Sequence, residues 1–178
     1  MSMKLTLASG SPRRAKILES LGVDFTVVRT DAPESSIPSD PERTVRENAL
    51  AKGAAAPSGL KNVLSADTIV WLDGRIYGKP RDLDEARRFL GELSGRTHTV
   101  FTGVAFDGKS MVCRSDVTFR PLSPSEIEAY IARVKPLDRA GAYDIDVSGD
   151  MLIKSFTGER ENIMGLPVAP LREWGIVK

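Results

Sequence analysis

The chain commits itself to an α/β architecture within its first thirty residues. Lys4 to Ala8 (KLTLA) reads as a short strand and Pro12 to Leu21 as a helix, joined by Ser9-Gly10-Ser11-Pro12-Arg13-Arg14. Ser11 takes the natural N-cap position. Pro12 takes the first helical position, where a missing N–H costs nothing. Gly22 stops the helix, and Val23 to Val28 returns as a strand. A strand–helix–strand unit of this kind belongs to a sheet with helices on its faces.

The charge at that first helix is in an unusual place. A helix N-terminus carries about half a positive charge and favours anions. Here its first turn holds two arginines, with no acid before Glu19. Taken alone, Arg13 and Arg14 could point to water. Together with free N–H groups, two hydroxyls and a glycine that permits close approach, they describe a phosphate or polyphosphate site.

The rest of the chain fits the same class. Thr30 to Pro41 is a proline-broken acidic loop containing Glu34. Asp40-Pro41 opens a second helix with Val45, Ala49, Leu50 and Ala54 at helical spacing. Asn62 to Ala66 reads as a buried strand leading to Asp67-Thr68. Ile69 to Leu72 and Arg75 to Tyr77 flank Asp73-Gly74, the strongest short hairpin signal. Asp82 caps a third helix with Leu83, Ala86, Phe89, Leu90 and Leu93 on one face. Two long strands follow, His98 to Phe106 and Ser110 to Arg120, joined near Asp107-Gly108. Ser123-Pro124-Ser125-Glu126 is a capping box, and its helix carries Ile127, Tyr130, Ile131 and Val134. After the glycine-rich acidic stretch Ala140 to Asp150, Met151 to Phe156 reads as a strand. Gly165-Leu166-Pro167 opens a last short helix ending near Trp174. The expectation is a mixed, twisted α/β sheet with helices on its faces, in one domain over residues 1–178.

Composition narrows the functions available. With 178 residues the chain can bury a sizeable core. A net charge of +1 argues against a binder of duplex DNA or of a membrane surface, while leaving room for a local basic cleft. One cysteine, Cys113, excludes an internal disulfide, and one histidine, His98, beside it excludes a His/Cys zinc cluster within the chain. Met1 to Ala8 is too short and polar for a signal peptide, and no apolar run approaches membrane-spanning length. Cytoplasm is the default expectation.

Polyphosphate chemistry needs cations, usually including a magnesium held by a few carboxylates, and a base to activate water. Asp67 punctuates an otherwise apolar strand region. Buried there, it would need a cation or hydrogen-bond donors, though an aspartate making a turn or a cap is an equal alternative. Judged alone, Glu34 is a solvated loop acid, Lys52 a surface residue on the second helix, and Lys79 a turn lysine between Gly78 and Pro80. Arg87 and Arg88 lie opposite their helix's apolar face and are expected in solvent. His98 is expected to start a strand.

LASGSPRRAKILESLG, ADTIV followed by LDGRIYGKP, SGRTHTVFTGVA, DVTFRPLS, PLDRAGAY and NIMGLP resemble, in order and spacing, the Maf-like nucleoside triphosphate pyrophosphatases. The resemblance covers nearly the whole chain. It implies an elongated two-lobed domain with a central cleft, similar to the inosine triphosphate pyrophosphatase group. It also implies hydrolysis of a nucleoside triphosphate to monophosphate and pyrophosphate with Mg²⁺ or Mn²⁺, in a family where dimers are common. By the same resemblance Ser9, Ser11, Arg13 and Arg14 form the phosphate loop, and Lys52 and Lys79 are phosphate-side lysines. Asp67 is the proton acceptor, Thr68 a substrate-selecting position, and Glu34 the family's loop acid; their oxygen-donor chemistry makes Glu34 and Asp67 the expected contributors to a Mg²⁺ or Mn²⁺ ion. Asp67, Lys79 and Glu34 are the catalytic set.

Arginine at position 13 resembles members acting on dTTP and UTP. An aromatic there would suit the cationic base of 7-methylguanosine triphosphate. The family often reads GAYGIQG where this chain has Gly141 to Val147, with Asp146 at the glutamine. A carboxylate only accepts hydrogen bonds, so Asp146 on a base edge would favour an amino group such as that of cytosine, and Asp146→Gln would sharpen a dTTP/UTP preference; the alternative is that Asp146 serves the metal. Glu159-Arg160-Glu161 also departs from the family's pattern. The competing readings are an inosine or 7-methylguanosine triphosphate hydrolase, and a nucleotide-binding regulator of cell division with weak hydrolysis.

Overall fold

The computed structural model describes residues 3–178. Met1 and Ser2, the start of the segment read as too short for a leader, lie outside them. Seven strands form one sheet: β1 (Leu5–Ala8), β2 (Phe25–Val28), β3 (Val63–Leu72), β4 (Arg75–Tyr77), β5 (Thr97–Phe106), β6 (Lys109–Phe119) and β7 (Ile153–Phe156). The order is β2-β1-β3-β5-β6-β7, with β4 also on β3. The β2-β1-β3 pairs are parallel and all others antiparallel. Six helices accompany them: α1 (Pro12–Ser20), α2 (Pro41–Ala54), α3 (Leu83–Leu93), α4 (Pro124–Val134), α5 (Arg160–Met164) and α6 (Val168–Glu173). The mixed α/β class is as expected. No described helix is long and apolar enough to cross a membrane.

Local chemistry accounts for most boundaries. Asp40 caps α2 and Asp82 caps α3, each accepting a backbone N–H three residues on, and Ser123 with Glu126 completes the capping box of α4. Both Asp-Gly pairs make tight hairpin turns with positive φ at Asp73, Gly74, Asp107 and Gly108. Four expectations need correction. Leu83, at the very start of α3, misses the buried stripe and is 40% exposed. The buried face of α2 is Thr44, Val45, Asn48 and Ala49, half of it polar, while Ala54 is exposed. β3 runs unbroken through Asp67, which makes neither a turn nor a cap. Arg160–Met164 forms a helix that the sequence reading missed, stopped by Gly165 at φ 112°.

The two long strands β3 and β5 organise the core. On one face, Leu64, Ala66 and Val104 pack with Leu5, Leu7, Ile17, Leu18, Leu166 and Leu171 under α1 and α6. Further along the same face, Val70, Leu72 and Val100 join a larger cluster under α3 and α4, centred on Phe89, Leu90, Phe119 and Tyr130. Between the clusters Thr68 and Thr102, register partners, share a 2.9 Å hydrogen bond. His98 is enclosed in the larger cluster beside Phe119, bonded to the Tyr143 hydroxyl at 2.9 Å. Burial pushes it down to about 4, so it is neutral.

The opposite face carries α2 alone. Val45 packs there on Ile69 and Phe101. The approach is close because Gly103 has no side chain: a Cβ there would lie 2.3 Å from the Val45 carbonyl oxygen. Gly103 is the register partner of Asp67. Gly103→Ala is expected to destabilise the fold by at least ~2 kcal/mol, since backbone rather than a flexible side chain must yield. Urea unfolding measures this; a loss within ~0.5 kcal/mol would contradict the packing argument.

Candidate functional site

The register of the sheet creates the site. β1 pairs with β3 only as far as Leu64, and β4 pairs with it only from Val70 onward. The carboxyl ends of β1 and β4 therefore face each other across the middle of β3. Over that stretch β3 has β5 on one side and no strand on the other. A cleft of about 810 Å³ opens at this gap. The loop after β1 brings Ser9 to Arg14 to one wall, and the turn after β4 brings Gly78 and Lys79 to the other. Ligands gather at such strand ends in α/β proteins because the chain diverges there.

Asp67 lies on the floor, 6% exposed, on the α2 face of β3. Its Oδ1 receives the Lys52 ammonium at 2.6 Å and its Oδ2 receives Asn48 Nδ2 at 3.0 Å. Lys52 also holds Glu34 at 2.8 Å, so two carboxylates converge on one cation. Lys52, taken alone as a surface lysine, is thus partly enclosed and doubly paired. Glu34 keeps 59% of its side chain exposed and has capacity for another partner. The helix stripe Thr44, Asn48, Lys52, spaced by four, grips the acidic loop at Ile37, Ser35 and Glu34 in turn. Thr44 and Asn48 were not picked out from the sequence. Polar residues at four-residue spacing beside Val45 and Ala49 are the signal that could have marked them.

Thr68 points to the other face and anchors the arginine of the opening loop. Arg14 donates to the Gly165 carbonyl at 2.7 Å, to Ser9 Oγ at 3.0 Å and to Thr68 Oγ1 at 3.1 Å. Burial pulls its guanidinium down to about 10, while Asp67 and Glu34 act in the opposite sense. Arg14 is therefore as much a staple between α1, β3 and the α5–α6 turn as a free cation. Ser9 also accepts the Ser11 N–H at 3.2 Å, and Ser11 sits at the N-cap without a side-chain capping bond. Arg13 donates to the Asp138 carbonyl at 3.4 Å and lies 3.8 Å from its carboxylate. Behind it Arg139 joins Asp138 and the buried Asp144. Lys79 is exposed in the cleft, and no carboxylate among the described residues pairs with it. Arg29, also unremarked in the sequence, lines the same wall with its side chain beside Gly10.

Nine of the ten candidate residues thus meet at one cleft. Asp146 does not. Its Oδ1 receives Arg160 Nε at 3.0 Å and Nη2 at 2.7 Å, and it borders a separate depression with Lys154 and Phe156. The structure therefore places Asp146 outside the cleft that gathers the other nine, with its carboxylate engaged by Arg160. Of the three residues 159–161, Arg160 is the one that pairs with Asp146. Glu159 meanwhile receives the Val168 and Ala169 N–H groups at the start of α6. Arg87 and Arg88, read as solvated, are half-buried and exposed respectively, and both are paired, Arg87 with Asp84 and Glu128 and Arg88 with Glu85.

Glu34 and Asp67 offer hard oxygens converging on the Lys52 ammonium. Among the described residues no third carboxylate, histidine or cysteine joins them. That donor set fits an ion of the Mg²⁺ or Mn²⁺ type, which takes one or two carboxylates and completes its shell with phosphate oxygens and water.

Fold and cleft together define a mixed α/β protein with an arginine- and lysine-lined cleft over a buried carboxylate. The family model of the Maf-like proteins matches residues 4–174, and the chain belongs to that family. The dTTP/UTP pyrophosphatase of Moorella thermoacetica is 45% identical over 96% of this chain and 92% of its own length. Those of Bacillus cytotoxicus (43%, over 94% and 92%) and Pectobacterium atrosepticum (42%, over 96% and 90%) are similarly related. The structure of the Staphylococcus aureus Ham1 protein aligns with TM-score 0.48 at 17% identity, over 66% of this chain and 71% of that one, too remote to bear on the site.

Arg14→Lys tests the staple. A lysine cannot reproduce three donors in a planar fork, and leaving buried acceptors unmet costs about 1–3 kcal/mol. We expect at least ~2 kcal/mol lost in urea unfolding. Unchanged stability would show that the three bonds contribute nothing.

Proposed function

We propose that the protein hydrolyses nucleoside triphosphates to monophosphate and pyrophosphate, with dTTP and UTP preferred. The observation that carries the reading is Asp67. Its carboxylate is buried in the cleft floor, yet sits beside cationic walls that suit a polyphosphate. The names of the Maf-like relatives support the same activity.

In this reading the loop from Ser9 to Arg14, with Arg13 and Lys79 facing the cleft, holds the distal phosphates through N–H groups and positive charge. Asp67 accepts a proton from a water as its oxygen attacks the α-phosphorus. The bond from that phosphorus to the bridging oxygen breaks, and pyrophosphate leaves with the electron pair. Lys52 balances the charge of Glu34 and Asp67 and holds both carboxylates in place. A bound Mg²⁺ or Mn²⁺, held by Glu34 and Asp67, would supply charge neutralisation at the phosphates. Thr68 borders the cleft and would help choose the base. Arg13 offers no aromatic face to a methylated guanine and would repel its charge.

Four measurements test this. Asp67→Asn should lose at least ~10²-fold in turnover and still bind nucleotide, because general-base help contributes about 10²–10⁴-fold. The wild type should release pyrophosphate; orthophosphate with diphosphate would refute the bond assignment. Excess EDTA should abolish turnover, and added Mg²⁺ or Mn²⁺ should restore it. Across a triphosphate panel dTTP and UTP should give the highest kcat/KM, with Asp146→Gln changing their ratio to CTP by less than ~2-fold, since an exposed ion pair contributes little. ITP or 7-methyl-GTP at the top would overturn the base assignment. Tight binding without turnover would return the regulator reading.

A further inference from the structure

We propose that Asn48 is a positioning residue for the reaction, tying the Asp67 carboxylate and the Glu34 loop into one rigid unit. The proposal rests on the reading of Asp67 as the base. Asn48 is 3% exposed, on the buried face of α2. All its hydrogen-bonding capacity toward the site is spent in one place. Nδ2 donates to Asp67 Oδ2 at 3.0 Å and to the Ser35 carbonyl at 3.0 Å, and Oδ1 accepts the Ser35 N–H at 2.7 Å. The three partners fix the amide's orientation. Turned over, its oxygen would face two acceptors and its nitrogen a donor.

A buried asparagine needed only for packing would not be in contact with a carboxylate on the cleft floor. A loop anchor alone would need only the two Ser35 bonds. The third bond sets the carboxylate's rotation about χ2. Lys52 grips one oxygen and leaves the other free to swing; Asn48 holds the other. Ser35 follows Glu34 directly, so the same amide also sets where the second carboxylate begins. Positional errors of about 1 Å at a reacting group cost up to ~10²-fold in rate. The group acts through Asp67 and touches no reacting atom, so its loss should appear in kcat and only weakly in KM.

Two near-isosteric variants separate the contacts. Asn48→Leu removes all three bonds. Asn48→Asp keeps an acceptor for the Ser35 N–H but offers Asp67 no donor. With dTTP and Mg²⁺, both should lose at least ~10-fold in kcat per folded molecule with KM within ~3-fold. Hydrogen exchange at the Ser35 amide should speed at least ~10-fold in Asn48→Leu and stay within ~3-fold of wild type in Asn48→Asp. In an Asp67→Asn background, Asn48→Asp should cost no further rate, since the two act through one path. Retention of kcat within ~2-fold by either variant, or unchanged Ser35 exchange in Asn48→Leu, would overturn the proposal. So would full additivity with Asp67→Asn. If Asp67→Asn itself stays near wild-type rate, the base reading falls and the positioning role falls with it. If Asp67→Asn is inactive while the Asn48 variants work normally, only the positioning role fails.

Discussion

A carboxylate in the middle of a buried strand is the constraint on which this structure turns. Asp67 has lost most of its water, and desolvation of a charge is expensive unless donors replace it. The replacements, Lys52 and Asn48, both come from α2. They reach Asp67 only because α2 lies almost on the sheet, and it lies there only because Gly103 leaves the space. The register that sets Gly103 opposite Asp67 therefore does more than pair two strands. It places the helix, the helix places the donors, and the donors make the charge tolerable.

The other wall is built on a similar economy of shared groups. Arg14, which sequence logic assigns to an anion, satisfies three protein acceptors before any ligand arrives. Arg13 leans on Asp138, which Arg139 and Asp144 support from behind. The cationic character of the cleft is thus held in a fixed geometry by neutral and acidic partners. A chain of almost zero net charge can then present a local positive wall.

Much of this was legible in the sequence where a residue's local role and its tertiary role coincide. Asp40, Asp82 and Ser123 cap helices in the structure as their positions demand, and both Asp-Gly pairs turn hairpins. The opening loop joins strand to helix where its glycine, hydroxyls and arginines suggest, and those residues line the cleft. Legibility failed where the partner lies far along the chain. Nothing local says that Asn48 will meet Ser35 and Asp67, or that Lys52 will sit between two acids. Asp67 itself looked equally like a turn residue, because its compensation comes from another helix. Asp146 shows the same distance between local reading and placement. Its aligned position pointed to the cleft, but Arg160, fourteen residues on, pairs with it at a separate depression. Leu83 shows the limit of spacing alone, since a stripe's first residue can hang off the end of its helix.

β3 and β5, ten residues each, run without a break beneath both hydrophobic clusters, with the cleft mouth at their midpoint. The two halves of the molecule therefore share a single leaf spring and not a flexible joint. Widening the mouth means flexing two hydrogen-bonded ribbons at the Thr68–Thr102 seam, where apolar packing gives way to one hydroxyl pair. The unbroken ladder resists that flexing, so the strand register sets the width of the gap. A guest enters a mouth whose span was decided when the ladder zipped up.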